Sequence, residues 1–386
     1  MDRVSPDQSE HRAFHDGRMG EADFGLSPFT IAWEITRACA YACVHCRADA
    51  QHRRDPAELT TEEAGALVDR IKSFGSPILV FTGGDPMMRP DLFEIISHAT
   101  GLGLRCSLTP TATELATPER LASAKEAGIR RIALSLDAPS ADAHDAFRQV
   151  PGSWERTMGI LRNARSMGLA AQINTTVAKH NLELLPAMVK FVKEVGAVQW
   201  SVFFLVPTGR AQAADMISAE QHERLFNWLY DLSIQGDFDI KATAAPMYRR
   251  VAIERKRAES GPGRGGIRGT FQGAGFQYAD GLDRPAKGVN DGRGFLFISH
   301  RGDIMPSGFL PIAAANVREA DVVDVYRNHS LFRELRDPSL LKGRCGICEY
   351  REVCGGQRGR AYALTGDWLE SDPACVYQPS GGGGEG

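Results

Sequence analysis

Short apolar or β-branched runs alternate with longer amphipathic stretches from about residue 30 to residue 235. The short runs have the length of buried strands and are bounded by Gly, Pro or polar residues. They are Thr30–Ile35, Ile78–Thr82, Leu104–Leu108, Arg131–Leu136, Ala171–Val177 and Gln199–Val206. The stretches between and after them predict helices at Thr60–Phe74, Asp91–Gly101, Thr117–Ala127, Ser153–Met167, Leu182–Val195 and Ala219–Leu232.

Six strand–helix units in a row predict an α/β fold with a parallel sheet and right-handed crossovers. The first helix opens on Thr60-Thr61-Glu62-Glu63, which is a capping signature with acid in the first turn. The chain lacks a dinucleotide-binding fingerprint in this region. Periodicity alone leaves two architectures open, a partial (β/α)6 TIM-type barrel and a doubly wound sheet.

The pattern weakens after residue 235, and the chain divides into five predicted regions. These are an N-terminal extension (1–27), the α/β unit (28–235), a bridging region (236–294) with a flexible Gly/Arg-rich loop at Gly261–Gly275, a cysteine-rich C-terminal lobe (295–379) and a disordered tail (380–386). Within the lobe, residues 295–305 predict a β-hairpin that turns at His300 and Arg301, and Val322–Leu335 predicts a short helix.

Composition and charge narrow the classes of function. The net charge is −3, with 45 basic and 48 acidic residues, so no basic stripe for nucleic acid is expected. The longest apolar run, around Val195 to Pro207, is shorter than the roughly 18–20 residues that a membrane span needs. The first 28 residues are charged and lack an apolar signal core, so a cytoplasmic location is expected.

The eight cysteines fall into two groups, with Cys106 alone in an apolar stretch where it is expected to be a small buried side chain. In a reducing compartment, grouped cysteines indicate metal or cluster ligands rather than disulfides. Cys39, Cys43 and Cys46 follow the first predicted strand. Three thiolates around a four-iron cluster leave one iron without a protein ligand. A zinc site, or a cluster completed by a distant cysteine, is the alternative.

The spacing Cys39-x3-Cys43-x2-Cys46 resembles the signature of the radical S-adenosylmethionine (SAM) superfamily, and the resemblance covers about residues 28 to 235. Of the two architectures, the resemblance implies the partial (β/α)6 TIM-type barrel, which is the fold that we predict, with a small cysteine-rich iron–sulfur lobe after it. Gly83-Gly84-Asp85-Pro86 follows the second strand and resembles the family's Gly-Gly-Glu-Pro motif, with Asp85 in place of the usual Glu. The resemblance implies that this motif binds the SAM amino group. It also implies that the open iron chelates SAM, and that reductive cleavage gives a 5′-deoxyadenosyl radical that abstracts hydrogen from a substrate.

Further SAM contacts follow from the same resemblance, although ordinary packing or surface pairing is an alternative for each. It implies that Ser135, Asp137 and Asn174 lie near the ribose. Arg148 resembles an arginine that pairs with the SAM carboxylate, which suits a guanidinium. The adenine is expected to pack on Val206 and His45.

The second cysteine group is Cys345-x2-Cys348-x5-Cys354-x20-Cys375. Four thiolates would saturate a second 4Fe–4S cluster, and a zinc knuckle with the same ligands is the alternative. The segment resembles the C-terminal auxiliary-cluster module called SPASM or twitch. An auxiliary cluster without an open iron suits electron transfer, and a purely structural role is the alternative.

The spacing resembles most the module of haem-forming radical SAM enzymes, which oxidatively decarboxylate porphyrin propionates, and of their haem d-type relatives. We therefore expect oxidative modification or decarboxylation of a tetrapyrrole or another carboxylated small molecule, with a flavodoxin- or ferredoxin-type reductant. Arg210, Arg249 and Arg250 are candidate partners for substrate carboxylates, or else solvated surface residues.

Two other functions stay open at this point. The first is maturation of a ribosomally made peptide, which many SPASM enzymes perform, although the residues before the barrel are too few for a peptide-recognition domain. The second, from another class, is a non-catalytic iron–sulfur electron carrier or a zinc-binding protein.

Overall fold

The computed structural model describes residues 23–260 and 288–380. The first 22 residues of the predicted extension, the Gly261–Gly275 loop and tail residues 381–386 lie outside the described residues. The ten strands are β1 Thr30–Thr36, β2 Ile78–Gly83, β3 Arg105–Leu108, β4 Arg131–Ser135, β5 Ala170–Val177, β6 Gln199–Phe204, β7 Asp239–Thr243, β8 Phe295–Ile298, β9 Asp303–Met305 and β10 Ala315–Asn316.

Twelve α-helices occur in the described residues, besides short 3-10 turns. They are α1 Thr61–Lys72, α2 Leu92–Gly101, α3 Pro118–Glu126, α4 Ala141–Arg148, α5 Ser153–Ser166, α6 Leu185–Glu194, α7 Ala219–Ser233, α8 Met247–Ser260, α9 Val322–Asn328, α10 Ser330–Arg336, α11 Gly343–Ile347 and α12 Arg358–Thr365. The helix predicted at Val322–Leu335 is therefore two helices. They are separated by His329, whose backbone is extended and whose side chain caps the second helix.

The strands form one sheet in the order β10-β9-β8-β1-β2-β3-β4-β5-β6-β7. Neighbours from β8 to β7 pair in parallel, and only the β8–β9 and β9–β10 pairs are antiparallel. All six predicted strands are present, with bounds that differ by one or two residues. This sheet is consistent with the predicted partial TIM-type barrel, and β7 and β8 extend the parallel run beyond the six predicted strands.

Local sequence explains the elements that carry the site. Helix α1 begins with a reciprocal capping box between Thr60 and Glu63, as its opening predicts. In β5 every second residue is buried, and three of these residues, Ala171, Ile173 and Val177, belong to the hydrophobic core. The intervening Gln172, Asn174 and Thr176 face the interior cavity. The strand therefore supplies apolar side chains to the core and polar ones to the site.

The C-terminal lobe joins the barrel through its first hairpin. Strand β8 pairs with β1, and the turn after β8 carries His300, as predicted. His300 is buried, and its Nδ1 lies 2.9 Å from the carboxylate of Glu34 in β1. The hairpin thus places the lobe beside the cysteine loop that follows β1.

Candidate active site

The three cysteines of the first group open onto one large cavity inside the barrel, with a volume of about 2160 Å³. Parallel strands place their carboxyl ends at one rim, where barrel enzymes build their sites. Cys39, Cys43 and Cys46 follow β1 at this rim, and all three line the cavity. The sequence-predicted cysteines are therefore brought together at the end of the barrel where chemistry is expected.

Contacts with two other parts of the chain hold the cysteine loop in place. The amide of Cys39 donates to Gln51 O at 2.7 Å, which closes the base of the loop. Arg210, which follows β6, donates through Nε to Cys43 O at 2.9 Å and through its amide to Cys46 O at 3.0 Å. Its guanidinium also contacts Asp49 and Ala50 O. Arg210 is thus a support of the loop.

The sulfur atoms have the surroundings of cluster ligands. The amide of Tyr41 donates to Cys39 Sγ at 3.3 Å, and Arg148 Nη1 lies 3.8 Å from Cys43 Sγ. Burial raises the pKa of the Cys39 thiol to about 11, and burial also raises the pKa of Cys43. Such thiols become thiolates when a metal centre replaces their protons. The donor set and the N–H groups aimed at the sulfurs fit a cluster held by three cysteines.

Gly83 and Gly84 pack against the chain's own backbone beside the cysteine loop. The amide of Gly84 donates to Thr36 O at 2.9 Å, and the amide of Asp85 donates to Ala38 O at 2.7 Å. A Cβ on either glycine would lie within 3 Å of a carbonyl oxygen of residues 36–38. Both glycines also line the cavity. Because both residues are glycines, the end of β2 can pack closely against the cysteine loop, and no side chain projects into the cavity there.

Asp85 and Pro86 lie behind the cavity wall. The Asp85 carboxylate is buried and accepts hydrogen bonds from Thr113 Oγ1 at 2.6 Å and from the Met87 amide at 3.1 Å. Burial raises its pKa even though these donors oppose the rise. Pro86 starts the short 3-10 turn that Asp85 caps. These two side chains therefore fix the shape of the motif, while the backbone before them faces the cavity.

Arg148 forms a buried ion pair with Asp137. Its Nε lies 2.8 Å from Asp137 Oδ2, while Asp137 Oδ1 accepts from the Thr176 amide at 2.7 Å. Burial alone would raise the pKa of Asp137, but Arg148 and the neighbouring His side chains lower it. Arg148 lines the cavity, whereas Asp137 is fully buried behind it. Asp137 therefore orients the guanidinium.

The remaining predicted contacts lie on the same cavity wall. Ser135, Asn174, Val206 and His45 all line it. The His45 ring lies 4.2 Å from the Phe147 ring, centroid to centroid, and its Nδ1 is buried without a hydrogen-bond partner. Burial and the nearby Arg148 lower the pKa of His45 to about 3, so the ring is neutral at physiological pH.

The second cysteine group lines a small cavity of its own. Cys345, Cys348, Cys354 and Cys375 all contribute to it. The Gly356 amide donates to Cys354 Sγ at 3.4 Å, and Arg358 Nη2 lies 3.7 Å from Cys345 Sγ. Burial raises the pKa of Cys354 to about 12 and that of Cys375 to about 11. Within residues 23–260 and 288–380, no three His, Cys, Asp or Glu side chains form a group compact enough for a single metal ion.

Several residues that shape the site were not predicted. Arg47 Nη2 lies 2.8 Å from Glu34, a buried carboxylate. Burial would raise the pKa of Glu34, but Arg47, His300 and Arg37 bring it down to about 2. Tyr41 is held by Ala112 O and by Arg156 Nε. In the sequence, only Glu34 indicated such a network, because it is a charged residue inside an otherwise apolar strand.

Comparison with known proteins defines the family. Residues 33–192 match the model of the radical SAM superfamily. The chain is also 43% identical over 351 residues to the AdoMet-dependent heme synthase of Oleidesulfovibrio alaskensis, where AdoMet is SAM. That alignment covers 90% of this chain and 87% of the relative. This chain is a radical SAM enzyme. Family membership brings a 4Fe–4S cluster and SAM as its cofactors.

Other matches agree with this assignment. The heme synthase of Methanosarcina barkeri is 42% identical over 353 residues, covering 92% of this chain and 97% of the relative. The solved structure of Streptococcus suis SuiB bound to S-adenosylmethionine aligns with a TM-score of 0.69 and 16% identity, covering 91% of this chain and 78% of that one. At this identity the likeness shows the fold, and the predicted partial barrel is confirmed. No helix of the described residues is long and apolar enough to cross a membrane.

Proposed function

We propose that this radical SAM enzyme converts propionate side chains of an iron porphyrin to vinyl groups, and so forms haem. The observation that carries the proposal is the 43% identity, over 90% of the chain, to a relative named AdoMet-dependent heme synthase. A more distant relative from M. barkeri, 29% identical, is named Fe-coproporphyrin III synthase. A pre-heme d1 synthase of Dinoroseobacter shibae is 27% identical.

The identity levels weigh against the peptide alternative. The relatives named for peptide chemistry include a PqqA peptide cyclase of Rhodopseudomonas palustris, which is 26% identical to this chain. The 42–43% matches all carry the heme synthase name. The cavity of about 2160 Å³ is also large enough for a tetrapyrrole beside SAM, since drug-sized ligand pockets are roughly 300–1,000 Å³.

We propose that SAM binds along the wall formed by Gly83, Gly84, Ser135, Asn174 and Val206, with Arg148 facing its carboxylate and His45 beside its adenine. All of these residues line the cavity that the three cysteines share. Asp85, Pro86 and Asp137 support them from behind. When bound, the three-cysteine cluster and SAM supply a radical that abstracts one hydrogen atom from the substrate.

The propionate-to-vinyl conversion also releases an electron. Loss of a hydrogen atom from the carbon next to the ring, followed by cleavage of the carbon–carboxylate bond, gives a vinyl group, carbon dioxide and one electron. We propose that Cys345, Cys348, Cys354 and Cys375 hold a second 4Fe–4S cluster that accepts this electron. N–H groups aimed at two of these sulfurs support a cluster. A flavodoxin- or ferredoxin-type reductant and a cytoplasmic location stay predictions.

The test uses anaerobically reconstituted enzyme with SAM, dithionite and iron coproporphyrin III that carries deuterium on the propionate carbon next to the ring. We expect haem as the product and deuterium in the 5′-deoxyadenosine. The Cys39→Ser variant is the matched control and should form neither product. If the wild type cleaves SAM but leaves the porphyrin unchanged and the 5′-deoxyadenosine without deuterium, the proposed substrate is wrong.

A separate measurement addresses the second cysteine group. Cys345→Ser should lower the iron content by about four atoms per chain while SAM cleavage continues, because the first cluster site is intact. Zinc in the wild-type protein, with no change of iron in the variant, would contradict an auxiliary cluster.

A further inference from the structure

Three arginines line the cavity at the rim where the cysteines lie: Arg47, Arg148 and Arg249. Arg47 pairs with the buried carboxylate of Glu34, and Arg148 pairs with that of Asp137. For Arg249 no carboxylate lies within ion-pair distance in the parts of the chain that the structure describes. Its Nη2 donates to Val289 O at 3.1 Å, and its Nη1 is buried without a hydrogen-bond partner.

The backbone around Arg249 is held in a defined position. Arg249 is the third residue of α8 and follows β7, whose last residue, Thr243, also lines the cavity. The Thr243 Oγ1 is a second buried polar atom for which residues 23–260 and 288–380 supply no hydrogen-bond partner. Between them, Ala244 adopts a φ of 55°, and its carbonyl accepts from Arg360 Nη2 at 2.7 Å. Such a conformation in a residue other than glycine persists only where its surroundings impose it.

Among the described residues, the half-buried Arg249 guanidinium has no carboxylate partner, although its Nη1 is shielded from solvent. Burial lowers the pKa of Arg249 to about 10, so the group still carries its positive charge at neutral pH. Taking a charge out of water without a partner is unfavourable. A planar carboxylate would supply both the opposite charge and acceptors for the free N–H groups.

The other two arginines that the sequence offered as carboxylate partners are already engaged. Arg210 supports the cysteine loop. Arg250 is buried and pairs with Glu223 and Glu254. Arg249 also lies beside the second cysteine group, since a Cβ on Gly288 would lie within 3 Å of both Val353 O and Arg249 Nη1. Because Arg249 lines the cavity of the first cysteine group, a ligand on it would lie in that cavity and close to the second group.

We infer that Arg249, assisted by the Thr243 hydroxyl, binds a carboxylate of the substrate. The inference rests on the proposed function, in which the substrate is a porphyrin that carries propionates. Arg249 is the anchor that distinguishes a carboxylated porphyrin from one with neutral side chains.

The experiment measures porphyrin binding to reconstituted enzyme by the change in the porphyrin absorption band. The probes are iron coproporphyrin III and iron etioporphyrin III, which has the same ring but no carboxylates. Arg249→Gln should raise the Kd for the carboxylated probe by roughly tenfold to a hundredfold, the range for a lost charged hydrogen bond. Arg249→Lys should recover part of the affinity. Arg255→Gln, in the same helix but paired with Asp231 and not part of the cavity lining, is the matched control, and its Kd should stay within about twofold of the wild-type value.

Substrate-independent SAM cleavage is measured in parallel in both Arg249 variants and in Arg255→Gln, and it reports whether the first cluster site is intact. If Arg249→Gln binds iron coproporphyrin III as tightly as the wild type, the inference is wrong while the proposed function stands. Equal weakening for both porphyrins, or loss of basal SAM cleavage in both Arg249 variants, would also overturn it, because the residue would then be structural. A wild type that neither binds nor converts iron coproporphyrin III contradicts the proposed function itself.

Discussion

The buried ion pair between Arg360 and Asp372 lies within the C-terminal lobe, and its arginine also contacts the barrel. Arg360 lies in α12, and Asp372 precedes Cys375 by three residues. Their side chains are fully buried, with 2.9 Å between Arg360 Nη1 and Asp372 Oδ2. The same guanidinium donates to Ala244 O, in the turn between β7 and α8. One side chain thus connects the second cysteine group with the turn that leads to Arg249.

We predict that Arg360→Met destabilises the protein by about 3–5 kcal/mol, because Asp372 would stay buried without its counter-charge. Globular proteins unfold with an entropy of about 2.1 cal/mol/K per residue, or about 0.8 kcal/mol/K for 386 residues. The melting temperature should therefore fall by about 4–6 °C. Asp372→Asn leaves the arginine unpaired and should have a similar effect.

The assay is thermal unfolding of the anaerobic holoenzyme, combined with hydrogen exchange at residues 243–249, which should lose protection in Arg360→Met. The double variant Arg360→Met/Asp372→Asn should lose less unfolding free energy than the two single variants lose together, because neither charge is then left without its partner. The exposed pair Lys190–Glu194 is the control, and Lys190→Met should destabilise the protein by less than about 1 kcal/mol. If Arg360→Met costs no more than this control, the pair does not hold the lobe.

Three further changes test the barrel side of the site. Gly84→Ala should lower iron content and SAM cleavage, because its Cβ would meet backbone oxygens of the cysteine loop, whereas Gly65→Ala in α1, with no atom within 4 Å, should leave both unchanged. Arg148→Gln should raise the KM for SAM by roughly tenfold or more, measured by 5′-deoxyadenosine formation, and a KM equal to that of the wild type would contradict its proposed contact. Glu34→Gln should lower the free energy of unfolding by about 3 kcal/mol at pH 7, measured by urea unfolding. Folding lowers the pKa of Glu34 from 4.5 to about 2, and this shift stabilises the folded state above pH 4.5. The stabilisation should disappear as the pH falls toward 2. A stability difference that is as large at pH 2 as at pH 7 would refute that origin.

Apolar or β-branched residues dominate the first six strands, and this is why the sequence pattern predicted them. In β7, by contrast, two of the five residues, Asp239 and Lys241, are charged. Helix α8 is rich in charged residues and has a weak apolar face. Both elements become stable through neighbours that are distant in sequence, since β7 pairs with β6 and α8 packs against α7. Local pattern alone could not reveal them.

Some parts of the candidate site could likewise be predicted from local sequence, and others could not. Cysteine spacing is local, so the sequence alone could offer the two cysteine groups as candidate cluster ligands, and a motif could offer Arg148 as a candidate SAM contact. The residues that contact and orient these groups are distant in sequence. Glu34 and His300 are separated by 266 positions, and Arg210 and Cys43 by 167. The sequence offered Arg210, Arg249 and Arg250 equally as partners for a substrate carboxylate. Only the contacts seen in the fold distinguish Arg249 from the other two.

The position of the cysteine loop depends on backbone contacts as much as on the cysteines. Gly83 and Gly84 approach it from the end of β2, and Gly209 approaches it after β6 with a φ of 65°. At each of these glycines a Cβ would lie within 3 Å of a loop carbonyl oxygen. The loop is therefore enclosed between two strand ends that leave no room for a side chain. A substitution that keeps all three thiols can still move them apart, so iron content measures the backbone fit of this rim as well as the presence of its ligands.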